Sequence, residues 1–433
     1  MQNITESFAD YLIRKSENIT AHVREKAILC MEDYMAVAAA GARNNISKWG
    51  EILSFLPHGN AELYGYGIRT DSKTAALING FNAHTLELDD GHRFAMIHLG
   101  ACIVSAVMSA GADFPESANR AVDGIIMGYE AACRTAMSMQ PSHKKRGYHA
   151  SGTCGTIGAA VAVSFVLGFN ASQLKTTLTV AAGSAAGMLE IQSQSSEIKP
   201  YNVGRAAMDG LSAAYMGLSS FAVPLDMLGG ERGFFNTFSD SWNADRLLEN
   251  TGYFEIERIY VKPYASCRHS HSAVEAAIRL NDRIRTQYAS EKKGIDEDIV
   301  KKVTVRTYRL GVKGHDHKTV YGMSDAKLST PYSVAVALLY GRCGLSEFDP
   351  VDKSAARLSE RTEVLEDEAL TALCPQKRAA VVIVELEDGK TMSEQTEYAK
   401  GEPENPLTRE EMSEKLVLLN NYRIDKIKEG EKK

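Results

Sequence analysis

The sequence predicts a mainly α protein in which a large all-helical domain is joined to a smaller α+β domain. The chain has 433 residues, enough for two or three domains. Up to about residue 260 it reads as a succession of helices that are unusually rich in Gly and Ala. Beyond that point, alternating and hairpin patterns typical of strands appear. This change of pattern sets the predicted domain boundary near residue 260.

Small residues concentrate in four stretches of the first part, at 35–42, 101–112, 151–169 and 176–188. Gly and Ala let helix axes approach closely, and a helix that is apolar nearly all round is expected in the interior of a helical body. Three glycines, Gly152, Gly155 and Gly158, superficially resemble a phosphate-binding loop. No strand precedes them and no Gly-Lys-Ser/Thr follows, so helix packing is favoured.

The second part contains strand and hairpin patterns. Residues 299–308 alternate between apolar and polar as a half-buried strand does, and residues 380–397 form two extended runs around Asp388-Gly389. Helices are expected at 271–285 and 331–341.

The C-terminal segment returns to a helical pattern. Thr408 and Glu411 form a capping box, and Leu407 and Met412 are placed as its hydrophobic staple. This helix is expected to pack back on the first domain. The predicted helical domain is therefore discontinuous, 1–260 with 400–433, and the α+β domain spans 261–399.

Composition excludes several classes of function. The chain carries 49 Lys plus Arg against 55 Asp plus Glu, and it lacks the concentrated positive field that nucleic-acid and membrane binding need. The seven cysteines are scattered without a C-x-x-C pair, as expected of reduced thiols. Neither a secretory signal nor an apolar run of about 18 residues is expected, so the protein is predicted to be cytoplasmic.

The first stretch with candidate chemistry lies between His84 and His98 and contains three acids in four positions. Its spacing matches none of the standard zinc or calcium patterns. A substrate or proton-transfer site is favoured over an acidic helix end with buried carboxylates and over a metal site, and no metal is expected. The residues concerned are His84, Glu87, Asp89, Asp90, His92 and His98.

Two further stretches place polar groups just before small-residue helices. Tyr148 and His149 precede a very apolar helix, whose N-terminal amides and dipole favour an anion. Lys199 precedes an Ala-rich helix that contains Arg205. The alternative interpretations are a helix-capping histidine and a surface lysine.

A fourth stretch lies at the predicted domain boundary, where ligand sites are common. A nucleophilic pair of Cys267 and His269 is conceivable there, although the thiol would need a depressed pKa. The run from Gly314 to His317 is interpreted as a solvated turn. The residues of this stretch are Lys262, Tyr264, Cys267, Arg268, His269 and His271.

Together these groups suit proton abstraction next to a carboxylate, with Arg205 and Arg268 available for bidentate carboxylate binding. Neither a nucleotide-binding fingerprint nor a G-x-S-x-G elbow is present in the sequence. The residues alone predict an enzyme that acts on a small anion without a cofactor.

At these residues the chain resembles the MmgE/PrpD family over nearly its whole length. The resemblance implies a large all-helical domain, a smaller α+β lid domain inserted before the C-terminal helix, a homodimer and an active site between the domains. The matching segments are NGFNAHTLELDDGHR with IHLGA, GYHASGTCGTIGAA, KPYNVGRAAMDG, KPYASCRHSH, DAKLSTPYSVAVALLYG and GEPENPLT.

The resemblance also implies the roles of individual residues. The family's catalytic positions fall on His98, His149, Lys199 and Lys262. The expected substrate-binding residues are Glu87, Asp90, Tyr148, Arg268, His269 and Tyr308.

Two departures from the family pattern bear on the substrate. Family members tend to show Asp-x-Asp-Asp-Thr where this chain has Glu87 to Gly91, and His-Pro where it has His98-Leu99. Glu87 keeps the charge but reaches one methylene farther. Gly91 lacks a hydroxyl, and a buried site built around that hydroxyl would lose about 1 kcal/mol or more.

The leading expectation is a lyase, most like 2-methylcitrate dehydratase, that acts on a small di- or tricarboxylate. His149 is the expected base and His98 the expected acid, and the two could be exchanged. The alternatives are an epimerase or racemase of an amino- or imino-dicarboxylate, a decarboxylase like cis-aconitate decarboxylase, and a carboxylate-binding dimer without activity.

Overall fold

The computed structural model describes residues 3–193, 196–288 and 295–424. Within these residues the chain forms two compact units. The first unit comprises 3–193, 198–261 and 409–424, and the second comprises 196–197, 262–288 and 295–408. The chain leaves the first unit one residue after the predicted boundary and returns to it nine residues after the predicted return at residue 400.

The first unit is mainly helical. Side-chain caps mark several helix starts, such as Asp71, which accepts from the amides of Lys73 and Thr74. Its α-helices up to residue 261 are α1 (Ile4–Ser16), α2 (Ala21–Trp49), α3 (Ser72–Thr85), α4 (Gly100–Asp113), α5 (Ala121–Met139), α6 (Ser142–Lys145), α7 (Ala150–Leu167), α8 (Ala171–Ser184), α9 (Tyr201–Met216), α10 (Phe234–Phe238) and α11 (Ala244–Leu248).

The first unit also contains a short antiparallel hairpin, so the prediction that it is entirely helical needs a correction. Strands β1 (Ala61–Leu63) and β2 (Ile68–Thr70) pair with each other. Gly65 and Gly67 lie in the turn with φ values of 80° and 69°. Glycine adopts this left-handed conformation without a steric penalty, which lets the chain reverse between two helices.

Close helix contacts bring the ends of α3 and α9 together. A Cβ atom on Gly80 of α3 would lie 2.9 Å from the Cα of Gly204, and one on Gly204 would lie 2.2 Å from the carbonyl oxygen of Leu77. Neither position tolerates a side chain. The crossing therefore places the C-terminal end of α3 beside the N-terminal end of α9, where Lys199 and Asn202 lie.

Helix α7 is the core helix of the first unit. Gly158 lies against Gly128 of α5, which confirms the prediction of helix packing for this glycine. By length and composition Ala150–Leu167 could cross a membrane, contrary to the sequence-based expectation. However, 89% of this segment is buried in the structure, as expected of a core helix in a soluble protein.

The second unit combines helices with a four-stranded sheet in the order β4-β3-β5-β6. β3 pairs in parallel with β4 and antiparallel with β5, and β5 pairs antiparallel with β6. Its elements are α12 (His271–Gln287), β3 (Val300–Thr307), α13 (Arg309–Val312), α14 (Met323–Ala326), α15 (Thr330–Tyr340), α16 (Lys353–Glu360), β4 (Thr362–Glu366), α17 (Glu368–Leu373), β5 (Ala380–Leu386) and β6 (Thr391–Thr396).

These elements match the predicted strand, the predicted hairpin and both predicted helices. β5 alternates buried and half-buried residues along its whole length, which is the pattern of a strand with one face toward a core.

The last helix, α18 (Arg409–Asn421), returns to the first unit and packs on α2. The ammonium group of Lys415 lies 2.5 Å from Asp33 and donates a 3.0 Å hydrogen bond to the carbonyl oxygen of Leu88. Arg43 of α2 donates to the carbonyl oxygens of Leu419 and Tyr422. These buried polar contacts fix the helix against the loop that follows α3.

Candidate active site

The loop between α3 and α4, residues 86–99, carries the largest group of candidate residues. Two non-glycine residues in it, Glu87 and Met96, have φ values of 54° and 53°. This left-handed conformation costs about 1 kcal/mol or more per residue and persists where the surroundings impose it. Backbone pairing between His92 and Ile97 closes the loop immediately before His98.

Three contacts fix the orientation of His98. Its backbone amide donates to the hydroxyl of Ser151 at 2.9 Å, and its Nδ1 lies 2.8 Å from the carbonyl oxygen of Asp90. A carbonyl oxygen only accepts, so Nδ1 carries the proton. The same Nδ1 lies 3.4 Å from Asp89 Oδ2. In the neutral ring, Nε2 is therefore the atom that accepts a proton.

His84 lies between His98 and His149 at the end of α3. Its ring centroid is 4.9 Å from that of His98 and 6.0 Å from that of His149. Its Nδ1 is 2.7 Å from Asp89 Oδ2, while its Nε2 is buried with no hydrogen-bond partner among the described residues. Three imidazoles and one carboxylate thus form a single cluster.

His149 is the N-cap residue of α7, as predicted. Asn202 donates from Nδ2 to His149 Nδ1 at 3.2 Å and also to the carbonyl oxygen of Met188 at 3.2 Å. The second contact fixes the orientation of the amide, so His149 Nδ1 accepts and the neutral ring carries its proton on Nε2. Burial, followed by the charges of His84 and Lys199, holds the pKa of His149 well below its usual value.

Lys199 and Glu87 form an ion pair. Lys199 lies just before α9 and Glu87 just after α3, so the close crossing of these helices brings them together. Their side chains are 13% and 8% exposed, which makes the pair largely buried. Lys199 is thus held near His149 and is not the surface lysine of the alternative interpretation.

Asp90 supports the start of α4. Its carboxylate accepts from the amide of Gly100 at 2.8 Å and from the hydroxyl of Tyr129 at 2.6 Å. Burial raises the pKa of Asp90 to about 6, although both hydrogen bonds oppose that rise. These contacts favour a role in positioning the His98 loop over direct contact with a substrate.

The space beside Gly91 is filled by the phenol of Tyr260. A Cβ atom on Gly91 would lie 2.4 Å from Tyr260 Oη. The hydroxyl beside Gly91 therefore belongs to Tyr260, a residue from a distant part of the chain, and the effect of Gly91 on the substrate stays a prediction.

Several predicted residues of the first unit lie outside this cluster. The ring of Tyr148 stacks on His143 at 5.2 Å and meets Phe238 edge-on. His92 lies 3.1 Å from Glu255, which removes it from the metal ligands considered in the sequence. Arg205 pairs with Asp209 on its own helix, so its guanidinium already has a carboxylate partner.

In the second unit, Lys262 is buried and a smaller cluster surrounds Cys267. His269 Nδ1 lies 2.7 Å from the hydroxyl of Tyr308, and the rings of His269 and His315 are 5.0 Å apart. Cys267 Sγ lies 4.0 Å from Nε2 of His315. The interpretation of the loop around His315 as a solvated turn was wrong for this residue.

Arg268 is engaged within the second unit. Its guanidinium lies 2.7 Å from Glu402 Oε1, with both side chains 4% exposed, and 2.7 Å from Nδ1 of His271. The carboxylate of Glu402 neutralises the arginine. This pairing favours a structural role for Arg268 over the predicted binding of a substrate carboxylate.

Sequence reasoning missed three residues that the structure brings to these clusters. Asn202 lies three residues after Lys199 on the first turn of α9, and this spacing could have indicated that Asn202 belongs to the same cluster. Tyr260 contacts Gly91, and His315 contacts His269, only through the tertiary fold. Pairs so far apart in sequence leave no local signal.

Among the described residues, His84, Asp89 and His98 also have donor atoms within 4.8 Å of one another, close enough for a metal ion. The Nδ1 atom of His84, however, already faces the carboxylate of Asp89, and that of His98 faces the carbonyl oxygen of Asp90. The arrangement fits a hydrogen-bonded proton-transfer network better than a metal centre, whose ligands present lone pairs to the ion.

Comparison with known proteins gives a consistent result over the whole chain. Residues 6–247 match the MmgE/PrpD N-terminal domain and residues 264–433 match the MmgE/PrpD C-terminal domain. A cis-aconitate decarboxylase-like protein of Aspergillus oryzae is 24% identical over 98% of this chain and 92% of its own. Cis-aconitate decarboxylase of Aspergillus terreus is 25% identical over 93% of this chain and 86% of its own. Cis-aconitate decarboxylase of Homo sapiens is 20% identical over 96% of this chain and 87% of its own. The chain therefore belongs to the MmgE/PrpD family.

Proposed function

We propose that the protein is a lyase that acts on a small di- or tricarboxylate and moves a proton at a carbon atom next to a carboxylate. The observation that carries the proposal is that Nδ1 of His98 faces a carbonyl oxygen whereas Nδ1 of His149 faces the amide group of Asn202, which gives the two imidazoles opposite tautomers. His98 presents a proton acceptor at Nε2, whereas His149 presents an N–H donor at Nε2. One cluster thus combines a base with a hydrogen-bond donor.

His98 is the proposed base. Its Nε2 removes the α-proton, and the electron pair of the C–H bond moves toward the carboxylate to give an enolate-like charge. The Nε2–H of His149 donates a hydrogen bond to that charge, because a low pKa keeps this imidazole neutral at physiological pH. The sequence first suggested His149 as the base and His98 as the acid, so the proposed roles are exchanged between the two histidines.

Lys199 is proposed to donate a hydrogen bond to a substrate carboxylate. Its ammonium group has three N–H donors and Glu87 accepts from one of them, whereas Arg205 and Arg268 each donate to several protein atoms. The ion pair of Lys199 with Glu87 holds the ammonium group in a fixed place, so little reorganisation is needed when the negative substrate arrives. The roles of Lys262 and Tyr308 stay predictions from the family resemblance, and the role of His269 stays a prediction from the sequence.

The finer assignment is dehydration of a hydroxylated tricarboxylate, as in 2-methylcitrate dehydratase. The hydroxyl group on the neighbouring carbon then leaves as water with the proton that His98 Nε2 has taken up, and the electron pair of the enolate-like centre forms the double bond. Decarboxylation is the second candidate, because the named relatives are cis-aconitate decarboxylases. In that reaction carbon dioxide leaves and protonated His98 supplies the proton to carbon.

Proton NMR in deuterium oxide tests these assignments directly. The protein is incubated with 2-methylcitrate, citrate, cis-aconitate and an iminodisuccinate-type dicarboxylate, each alone. A new vinyl signal from a hydroxylated substrate supports dehydration, and release of carbon dioxide from cis-aconitate supports decarboxylation. Deuterium exchange at the α-carbon without either product moves the assignment to epimerase.

The matched control is the His98→Gln variant, which keeps a hydrogen-bonding side chain but cannot act as the base. Saturable binding without turnover of any substrate by the wild type would overturn the proposal and leave a carboxylate-binding protein. The predicted homodimer is checked by sedimentation of the same preparation, and a cytoplasmic location stays a prediction.

A further inference from the structure

Gly91 and Tyr260 are joined by two backbone hydrogen bonds. The amide of Tyr260 donates to the carbonyl oxygen of Gly91 at 2.8 Å, and the amide of Gly91 donates to the carbonyl oxygen of Tyr260 at 3.1 Å. The next residue, His92, pairs in turn with Ile97, whose neighbour is His98. A continuous ladder of backbone pairs therefore connects residue 260 to the proposed base.

Position 91 requires glycine, because the surrounding atoms leave no room for a side chain. A Cβ atom there would lie 2.4 Å from Oη of Tyr260, 2.6 Å from its Cζ and 2.9 Å from the carbonyl oxygen of Ile97. Distances this short force a neighbour to move, and the ring of Tyr260 is itself buried, with 3% of its surface exposed. A residue with a side chain at 91 and a tyrosine at 260 cannot both occupy the present geometry.

The same ring contacts the proposed base. The ring centroids of Tyr260 and His98 are 6.5 Å apart, and the two planes are nearly perpendicular at 86°. Such edge-on contacts between rings are attractive. Tyr260 thus limits the rotation of the His98 imidazole from one side, while the carbonyl oxygen of Asp90 holds its Nδ1.

We propose that Gly91 and Tyr260 form a matched pair that positions His98 and determines the shape of the substrate site beside it. Tyr260 is in this sense a positioning and specificity-determining residue. Its phenol places a hydroxyl and an aromatic wall where a chain with a larger residue at 91 would place its own side chain. The inference rests on the proposed role of His98 in the lyase reaction.

A double-mutant cycle tests the pair. The Gly91→Ala variant is expected to lower kcat/KM by about 10-fold or more through displacement of His98, because small shifts of a catalytic group are costly. Adding Tyr260→Ala removes Oη and Cζ, so the combined effect should be smaller than the product of the single effects. Adding Tyr260→Phe keeps Cζ, so it should leave most of the Gly91→Ala defect in place.

Gly111 provides the matched control glycine. It lies in α4, and apart from its chain neighbours and the backbone of its own helix no atom of the described residues lies within 4 Å of a Cβ atom built on it, so Gly111→Ala should leave kcat/KM unchanged. If Gly91→Ala does not fold, the Tyr260→Phe variant carries the test. Loss of the hydroxyl alone should change the ratio of kcat/KM for a hydroxylated over an unsaturated tricarboxylate, and an unchanged ratio contradicts the specificity role.

A second readout is independent of turnover. The imidazole of His98 is observed by NMR in protein labelled with [13Cε1]histidine, and its signal is assigned with His98→Gln. Gly91→Ala and Tyr260→Ala should shift this signal, whereas Gly111→Ala should not. Additive effects in the cycle, or a His98 signal unchanged in a folded Gly91→Ala protein, overturn the proposal. If no substrate is turned over, the proposed lyase function fails, but the NMR comparison still decides whether the pair positions His98.

Discussion

Lys199 forms its ion pair with a residue whose backbone is in the left-handed region, Glu87 at a φ of 54°. The residue after a helix end often adopts this conformation, usually as Gly or Asn. A glutamate here costs conformational energy that its ion pair offsets. The bend turns the chain out of α3 and directs the carboxylate at the start of α9.

The ion pair between Lys199 and Glu87 predicts that stability and activity respond differently to a second substitution. Lys199→Met removes the cation that pairs with the largely buried Glu87 carboxylate, and we expect a loss of about 3 kcal/mol in the free energy of unfolding. Adding Glu87→Gln removes that buried charge and should restore most of the stability without restoring turnover. Urea unfolding and the NMR assay measure the two quantities. Recovery of activity in the double variant would contradict a role for Lys199 in binding the substrate.

The tautomers of His98 and His149 predict different kinetic defects. His98→Gln removes the proposed base and should abolish deuterium exchange at the α-carbon. His149→Ala should lower kcat far more than it raises KM, because the hydrogen bond to the developing charge strengthens in the transition state. Steady-state kinetics in water and in deuterium oxide measure these effects. A His149→Ala variant with an unaffected kcat would remove His149 from the site.

The sequence was sufficient for the main architecture because that architecture depends on local patterns. The alternation in β5 and the Asp388-Gly389 turn predict the hairpin, and the small residues of α7 predict its burial. The hairpin β1–β2 was missed because its strands have three residues each, too few to show a period of two.

The candidate site was predictable only where its residues belong to one segment. The proximity of His98, Glu87 and Asp90 follows from their shared loop, whereas the Glu87–Lys199 pair depends on the crossing of α3 and α9 at Gly80 and Gly204. The tautomers of the histidines depend on partners that only the folded chain defines. No local pattern could have assigned the base and the donor.

The hydrogen bond between Tyr129 and Asp90 gives a prediction in which the size of the stability loss depends on pH. Burial raises the pKa of Asp90 from 3.8 to about 6, and the Tyr129 hydroxyl opposes the rise. A carboxyl with a raised pKa destabilises the folded state above that pKa, and the penalty is relieved as pH falls through it. Tyr129→Phe should therefore cost more stability at pH 7.5 than at pH 5.0 in urea unfolding. An equal loss at both values would mean that the hydrogen bond does not act through the ionised carboxylate.

Cys267 is predicted not to form a nucleophilic pair with His269. His269, its proposed partner in the sequence, uses Nδ1 to contact Tyr308, and the thiol instead faces His315 at 4.0 Å. Cys267→Ser should keep kcat within about twofold of the wild-type value, because it preserves a small polar side chain. The control is Tyr308→Phe, which removes the hydroxyl that His269 contacts and should lower kcat. A large defect in Cys267→Ser would restore the nucleophilic interpretation.

His143 predicts a loss of stability on acidification. Its Nδ1 lies 3.0 Å from the carbonyl oxygen of Phe238, its Nε2 lies 2.8 Å from the hydroxyl of Thr153, and burial lowers its pKa from 6.5 to about 4. The unfolded chain therefore binds a proton from about pH 6.5 downward, whereas the folded chain does so only near pH 4. By linkage, stability is retained above pH 6.5 and falls as pH drops toward 4, by about 2 kcal/mol at pH 5.0 for this residue.

The His143→Gln variant isolates this contribution, because glutamine keeps hydrogen-bonding capacity but does not titrate in this range. Its free energy of unfolding should be lower than that of the wild type at pH 7.5, and the difference should shrink or reverse at pH 5.0. His149 and His92, whose pKa values are also lowered by burial, are present in both proteins and cancel in the comparison. A difference that stays constant between the two pH values would show that His143 titrates alike in the folded and unfolded chains, contrary to its burial beside Thr153.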